Sequence, residues 1–334
     1  MGKTGLIFRL FDELAHQKAE FTAIYVDIYA SRNLADLVRM LSESVMKHYP
    51  PTSSLGKRFW DFIKGFRPTI SFDAITGSPE IGFTYANDLE KVQTLQGILK
   101  FLDEQNQPIV LAIDEFQQIR EYPEVNTEAL LRTAIQQLRN ITFIFCGSKK
   151  HMMIDMFSCA GNPFYASTAF LTLGSINEDT YREFIIRLFE KARRSIDREA
   201  VDFILTWTRR HTFYTQTLCH QIFATGQDVV GIKEVERVCG SILVSNQDVY
   251  LQFRQMMTRA QWNFLIAVAK ENDVKQITSA AFLQKYGIGS ASSARRLLTS
   301  LLEKEMLIEN TTLAGTTYTL YDVFMMRWME NVER

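Results

Sequence analysis

A chain of 334 residues, 46% hydrophobic and 22% charged, has the balance of a globular protein of two or three domains. A net charge of −1 excludes a bulk electrostatic pull toward nucleic acid or anionic membrane, and the longest apolar runs, such as PIVLAI and ITFIFC, are of strand length and too short to span a bilayer. Cys146, Cys159, Cys219 and Cys239 have neither CxxC nor zinc-type spacing and read as reduced, mostly buried thiols of a cytoplasmic protein.

In chain order, Gly2-Lys3-Thr4 opens a helical pattern over 5–18, with Leu6, Leu10 and Leu14 sharing one face and Ile7 and Phe11 beside it. FTAIYVDIYA (21–30), rich in β-branched and aromatic residues, predicts a strand. An amphipathic helix follows, stopped by Pro50-Pro51, and then a shorter one, LGKRFWDFIKGF. Two β-like runs flank Gly77-Ser78-Pro79 and predict a hairpin. DLEKVQTLQGILKFLDEQ is a helix; PIVLAIDEF (108–116) is a strand ending in two acids. NTEALLRTAIQQLRN is a helix with Asn126 as its cap. ITFIFCGS (141–148) is a strand, KHMMIDMF a short helix and TAFLTLG a short strand.

Continuous apolar strands alternating with helices predict a mostly parallel sheet covered on both sides. Residues 177–250 carry helical patterns only. From about 258, three short helical patterns precede a hairpin-like pair, the order of a winged helix. The expected division is an α/β P-loop domain over 1–175, a helical lid over 176–250 and a winged-helix domain over 251–334.

Two motifs carry chemistry. In the phosphate loop G-x-x-x-x-G-K-[ST], backbone N–H groups wrap a phosphate, the lysine reaches its oxygens, the hydroxyl ligates Mg²⁺ and the helix turns its positive end to the anion. Gly2, Lys3 and Thr4 fit its last three positions and Met1 the fourth variable one; the first glycine and the strand feeding it are not in the chain. A lone GKT is also an ordinary helix start. The second motif is Asp114-Glu115 at a strand end, where an aspartate can hold the magnesium shell and a glutamate can polarise the attacking water. One strand later, Ser148 could sense a γ-phosphate beside Lys149.

The order GKT-helix, YVDIYASRNLADL, IVLAIDEFQQI, FIFCGSKKHMM, NPFYASTAFLTLGSI and HTFYTQTLCHQI resembles the prokaryotic ATPases of the archaeal-type STAND group, within the AAA+-like P-loop class. The resemblance implies ATP and Mg²⁺ as ligands. It implies Lys3 and Thr4 as phosphate and magnesium residues, Asp114 and Glu115 as magnesium-shell and catalytic acids, and Ser148 and Lys149 as the sensor turn. It further implies a conformational switch, with nucleotide lying among the P-loop, the acidic strand end and the lid. Lys149 stands where relatives often have arginine, which keeps the charge but loses the planar fork. Thr212 stands where relatives carry a proline against the adenine. In the class, the missing first strand lies between the sensor strand and TAFLTLG. The expectation is therefore that Met1 is an internal methionine taken as the start, or that the gene is truncated, a degenerate start being the alternative.

In the winged helix, Ser290, Ser292, Ser293, Arg295 and Arg296 could meet DNA phosphates. Residues 258–334 hold nine Lys/Arg against eight Asp/Glu, a net +1 that favours an unidentified protein partner over DNA. Among the histidines, His211 and His220 are nine apart and share no helical face, so no metal beyond nucleotide magnesium is expected. The reading is a switch ATPase, with hydrolysis expected once the front half of the phosphate loop is restored; its alternatives are a DNA-binding regulator that has lost turnover and an inactive fragment.

Overall fold

The computed structural model describes residues 2–17, 21–50, 52–72, 79–312 and 315–332, and the chain divides into two compact units, Met1–Leu173 and Gly174–Arg334.

The first unit runs α1 (Lys3–His16), β1 (Thr22–Asp27), α2 (Leu34–His48), α3 (Ser54–Ile63), β2 (Pro68–Phe72), β3 (Pro79–Phe83), α4 (Asp88–Asp103), β4 (Ile109–Asp114), α5 (Thr127–Gln136), β5 (Ile141–Phe145) and α6 (Lys150–Ser158). Strands β1, β4 and β5 form a parallel sheet in the order β1-β4-β5, with Asp27 opposite Asp114. Alternation divides the strand side chains between two faces. Ile24, Val26, Leu111 and Ile113 enter the larger core with Leu37, Leu41, Phe59, Ile98 and Leu102 from α2, α3 and α4. Tyr25, Ala112, Ile144 and Cys146 meet Ile7 and Phe11 of α1 on the other face. Helices thus cover both faces, which is why the strands are apolar throughout. The Asn33 and Asn87 side chains cap α2 and α4, accepting from the N–H groups of Asp36 at 2.9 Å and Glu90 at 3.0 Å. Strands β2 and β3 pair antiparallel as expected; the turn residues Gly77-Ser78 lie outside the described residues.

Four expectations are corrected. The inward stripe of α1 is Ile7–Phe11, whereas Leu6 and Leu10 are exposed. TAFLTLG forms no strand: a strand needs a ladder partner for its N–H and C=O groups, and among the described strands β5 is hydrogen-bonded to β4 alone. Phe170 and Leu171 of that stretch are correspondingly exposed. Asn126 does not cap α5 through its side chain. Its φ is +63°, outside the extended conformation in which a capping side chain reaches the first N–H groups. The strand PIVLAIDEF ends at Asp114, because Glu115 turns left-handed at φ +56°.

The second unit runs α7 (Glu178–Lys191), β6 (Ser195–Ile196), α8 (Arg198–Trp207), α9 (Thr212–Ala224), β7 (Val229–Val230), α10 (Ile232–Ser245), α11 (Gln247–Gln255), α12 (Arg259–Glu271), α13 (Ala280–Tyr286), α14 (Ala291–Glu303), β8 (Leu307–Thr312), β9 (Gly315–Leu320) and α15 (Val323–Glu330). The two-residue strands β6 and β7 pair in parallel inside a stretch expected to be purely helical. Helices α12, α13 and α14 with the β8–β9 hairpin make the winged helix, and Val274 bridges Tyr318 at its edge. Residues Phe264 to Ala269 of α12 are all buried, so this helix is the centre of the unit. One continuous apolar core joins α7–α10 to the winged helix and α15, with Ile204, Leu218 and Val235 in the same cluster as Leu265, Leu301 and Met326.

Candidate nucleotide site

Gly2 precedes α1 at φ +94°, a conformation that glycine adopts at no steric cost. No atom lies within 4 Å of where its Cβ would be, so backbone conformation, not space, asks for glycine there. The turn starts α1 at Lys3 and sets Thr4 beside the end of β4. Thr4 Oγ1 donates to Asp114 Oδ2 at 2.6 Å across 110 residues of sequence. The two sequence motifs therefore meet side by side.

Asp114 is 3% exposed. Its Oδ2 also accepts from the Tyr25 hydroxyl at 2.9 Å, and its Oδ1 accepts from the Glu115 N–H at 2.9 Å. Burial by itself would raise the Asp114 pKa, but the Thr4 and Tyr25 hydroxyls, the Glu115 N–H and the Cys146 thiol together hold it below the usual carboxylate value. The same cluster pushes the thiol of Cys146 up to about 12, through burial first and the Asp114 charge second, with Lys3 working the other way. The Tyr25 phenol is also raised, by burial and then by its hydrogen bond to Asp114, and stays a donor.

Glu115 follows in the left-handed region at φ +56°, strained for a non-glycine residue. The bonds that hold it are its own N–H to Asp114, its carbonyl, which accepts from the Gln118 N–H at 2.9 Å, and the Phe116 N–H, which donates to the Cys146 carbonyl at 2.8 Å. The turn aims the Glu115 carboxylate at the end of β5. Oε2 there accepts from Ser148 Oγ at 2.6 Å, from the Ser148 N–H at 3.4 Å and from Gln117 Nε2 at 2.5 Å. Lys149 sits next to Ser148 as the residue preceding α6.

Lys3, Thr4, Asp114, Glu115 and Ser148 thus converge on one end of the sheet, the carboxyl ends of parallel strands where ligands of such sheets bind. Thr4 Oγ1 and Asp114 Oδ2 are hard oxygen donors of the kind Mg²⁺ takes. Among the described residues no group of three or more His, Cys, Asp or Glu is placed to hold a metal. Thr212, at the departure from the proline pattern, is the first residue of α9 in the second unit. Next to it, burial lowers the pKa of His211, whose Nδ1 has no hydrogen-bond partner among the described residues.

Sequence reasoning missed Tyr25, Gln117 and Cys146. The alternation of β1 carried a signal for the first, since Tyr25 and Asp27 share a strand face, but which face meets α1 depends on the assembled sheet.

Residues 248–331 match the family of probable winged helix domains. Among solved structures, the chain is similar to a Walker-type ATPase of Pyrococcus abyssi, with 17% identity, a TM-score of 0.59, and coverage of 92% of this chain and 84% of that one. It is also similar to the ORC2 protein of Aeropyrum pernix, described in ADPNP-ADP complexes, with 12% identity, a TM-score of 0.54, and coverage of 99% and 84%. No match was found among curated proteins. The fold is that of the P-loop ATPases with a winged helix at the C-terminal end.

Proposed function

We propose that the protein is a STAND-type switch that binds Mg-ATP and hydrolyses it slowly. The observation that carries this reading is the 2.6 Å contact between Thr4 and Asp114, which brings a phosphate-loop hydroxyl to a strand-end carboxylate 110 residues away. Gly2, Lys3 and Thr4 receive the phosphates at the start of α1, where the free N–H groups and the helix dipole favour an anion. Thr4 and Asp114 hold Mg²⁺, which when bound neutralises charge on the phosphates. Glu115 is the general base toward water. Ser148 and Gln117 donate to its Oε2 and orient the carboxylate at the end of β5. Lys149 adds positive charge beside the sensor. The proposed domains remain 1–175, 176–250 and 251–334, with the last as the output module toward a protein partner. Four free cysteines fit a reducing compartment, so the cytoplasm is the proposed location.

The test is calorimetric titration of Mg-ATP together with phosphate release. Lys3→Ala should lose binding and turnover. Glu115→Gln should keep binding and slow hydrolysis by about 10²-fold or more, the scale of a lost general base. Turnover of Glu115→Gln at the unsubstituted rate would show that another group is the base.

A further inference from the structure

Asp114 Oδ2 carries two side-chain donors. Thr4 Oγ1 donates to it at 2.6 Å, a bond the hydroxyl can keep while a lone pair of its oxygen faces a cation. The Tyr25 hydroxyl donates to the same oxygen at 2.9 Å from the strand behind, and the Glu115 N–H donates to Oδ1 at 2.9 Å. The phenol is held from both sides. Its backbone is in the β1 ladder with Ala112 as register partner, and its ring packs on Phe8 of α1 with centroids 4.7 Å apart. Phe8 lies one helical turn beyond Thr4, so Tyr25 is tied to the same helix that delivers the hydroxyl.

We infer that Tyr25 is a positioning residue of the magnesium site: its hydroxyl fixes the carboxylate of Asp114 so that the free lone pairs face the cation of a bound Mg-nucleotide. This rests on the reading of Thr4 and Asp114 as the magnesium pair. Groups that orient a metal ligand from behind are typically worth about 10- to 100-fold in metal affinity. Tyr25 makes no contact with phosphate in this scheme, so its loss weakens the metal-dependent part of nucleotide binding alone.

The experiment titrates Mg²⁺ at fixed ADP in the full chain, beside ADP binding in EDTA and thermal melting without nucleotide. Tyr25→Phe keeps the ring and removes only the hydroxyl. It should raise the Mg²⁺ concentration at half-effect by about 10-fold or more and leave metal-free ADP affinity as it was. In an Asp114→Asn background the same change should do nothing further. Phe8→Leu, which loosens the ring contact and keeps the hydroxyl, should shift the Mg²⁺ half-effect by less than Tyr25→Phe does. The inference is overturned if Tyr25→Phe leaves the Mg²⁺ half-effect unchanged, if metal-free affinity falls by the same factor, or if Phe8→Leu shifts it equally. An unsubstituted protein whose ADP binding ignores Mg²⁺ is a separate result: it removes the magnesium reading of Thr4 and Asp114, and this inference with it.

Discussion

Gln117 is 4% exposed, and while its Nε2 binds Glu115, its Oε1 has no partner among the described residues. An unpaired buried amide oxygen costs on the order of 1–3 kcal/mol, so the amide is held by its surroundings. Gly147 supplies them: a Cβ there would lie 2.2 Å from Gln117 Oε1 and 2.6 Å from Met153 Sδ. Gly147→Ala must therefore swing the amide or the thioether aside. We expect it to destabilise the protein by about 1–3 kcal/mol, as overpacking does, and to loosen the Gln117 hold on Glu115. Denaturant unfolding measures the first effect, and an unfolding midpoint equal to that of the unsubstituted chain would contradict this account of Gly147. The sequence shows Gly147 only as a turn glycine after a strand. Thr4, Asp114, Glu115 and Ser148 were legible because short motifs bear them, whereas the partners that hold them were not. Whether Tyr25 or Gln117 reaches a given carboxylate depends on strand register and a left-handed turn, neither of which has a local signature here.

At the scale of elements, β4 is the strand the sheet is built on. It is hydrogen-bonded on both sides, by β1 and β5, whereas β5 has a partner only on its β4 side among the described residues. Hydrogen exchange should accordingly be slowest in Leu111–Ile113 and faster in Phe143–Phe145, whose edge-facing amides lack a ladder acceptor. Equal protection of the two strands would mean that the β5 edge is covered in solution. Periodicity gave the existence and type of these strands, since buried parallel strands are apolar on both faces and contrast with the helices between them. It could not choose the inward stripe of α1. Leu6–Leu10–Leu14 and Ile7–Phe11–Leu14 both satisfy helical spacing, and only the sheet selects Ile7 and Phe11. TAFLTLG had strand composition, but composition cannot supply a neighbour to pair with.

For the whole molecule, the question is what the winged helix touches. Residues 258–334 sum to +1, from nine basic and eight acidic side chains, while a protein that neutralises several phosphates normally shows a basic face. Arg295 and Arg296 are both exposed on α14, but adjacent helical residues point about 100° apart. Arg295 lines a cavity of about 390 Å³ with Lys275, Ser279 and Tyr318, within the winged helix itself. The described ends of the hairpin, Thr311, Thr312, Thr316 and Thr317, are uncharged. These features favour protein contact over groove reading. The full chain should then bind mixed duplex DNA no more tightly than micromolar, with a shallow loss of affinity between about 50 and 200 mM salt, because few counterions are released. Sub-micromolar binding with a steep salt slope, abolished by Arg295→Ala with Arg296→Ala, would reverse the assignment. The winged helix would then be a DNA reader, and nucleotide in the first unit would be the signal that regulates it.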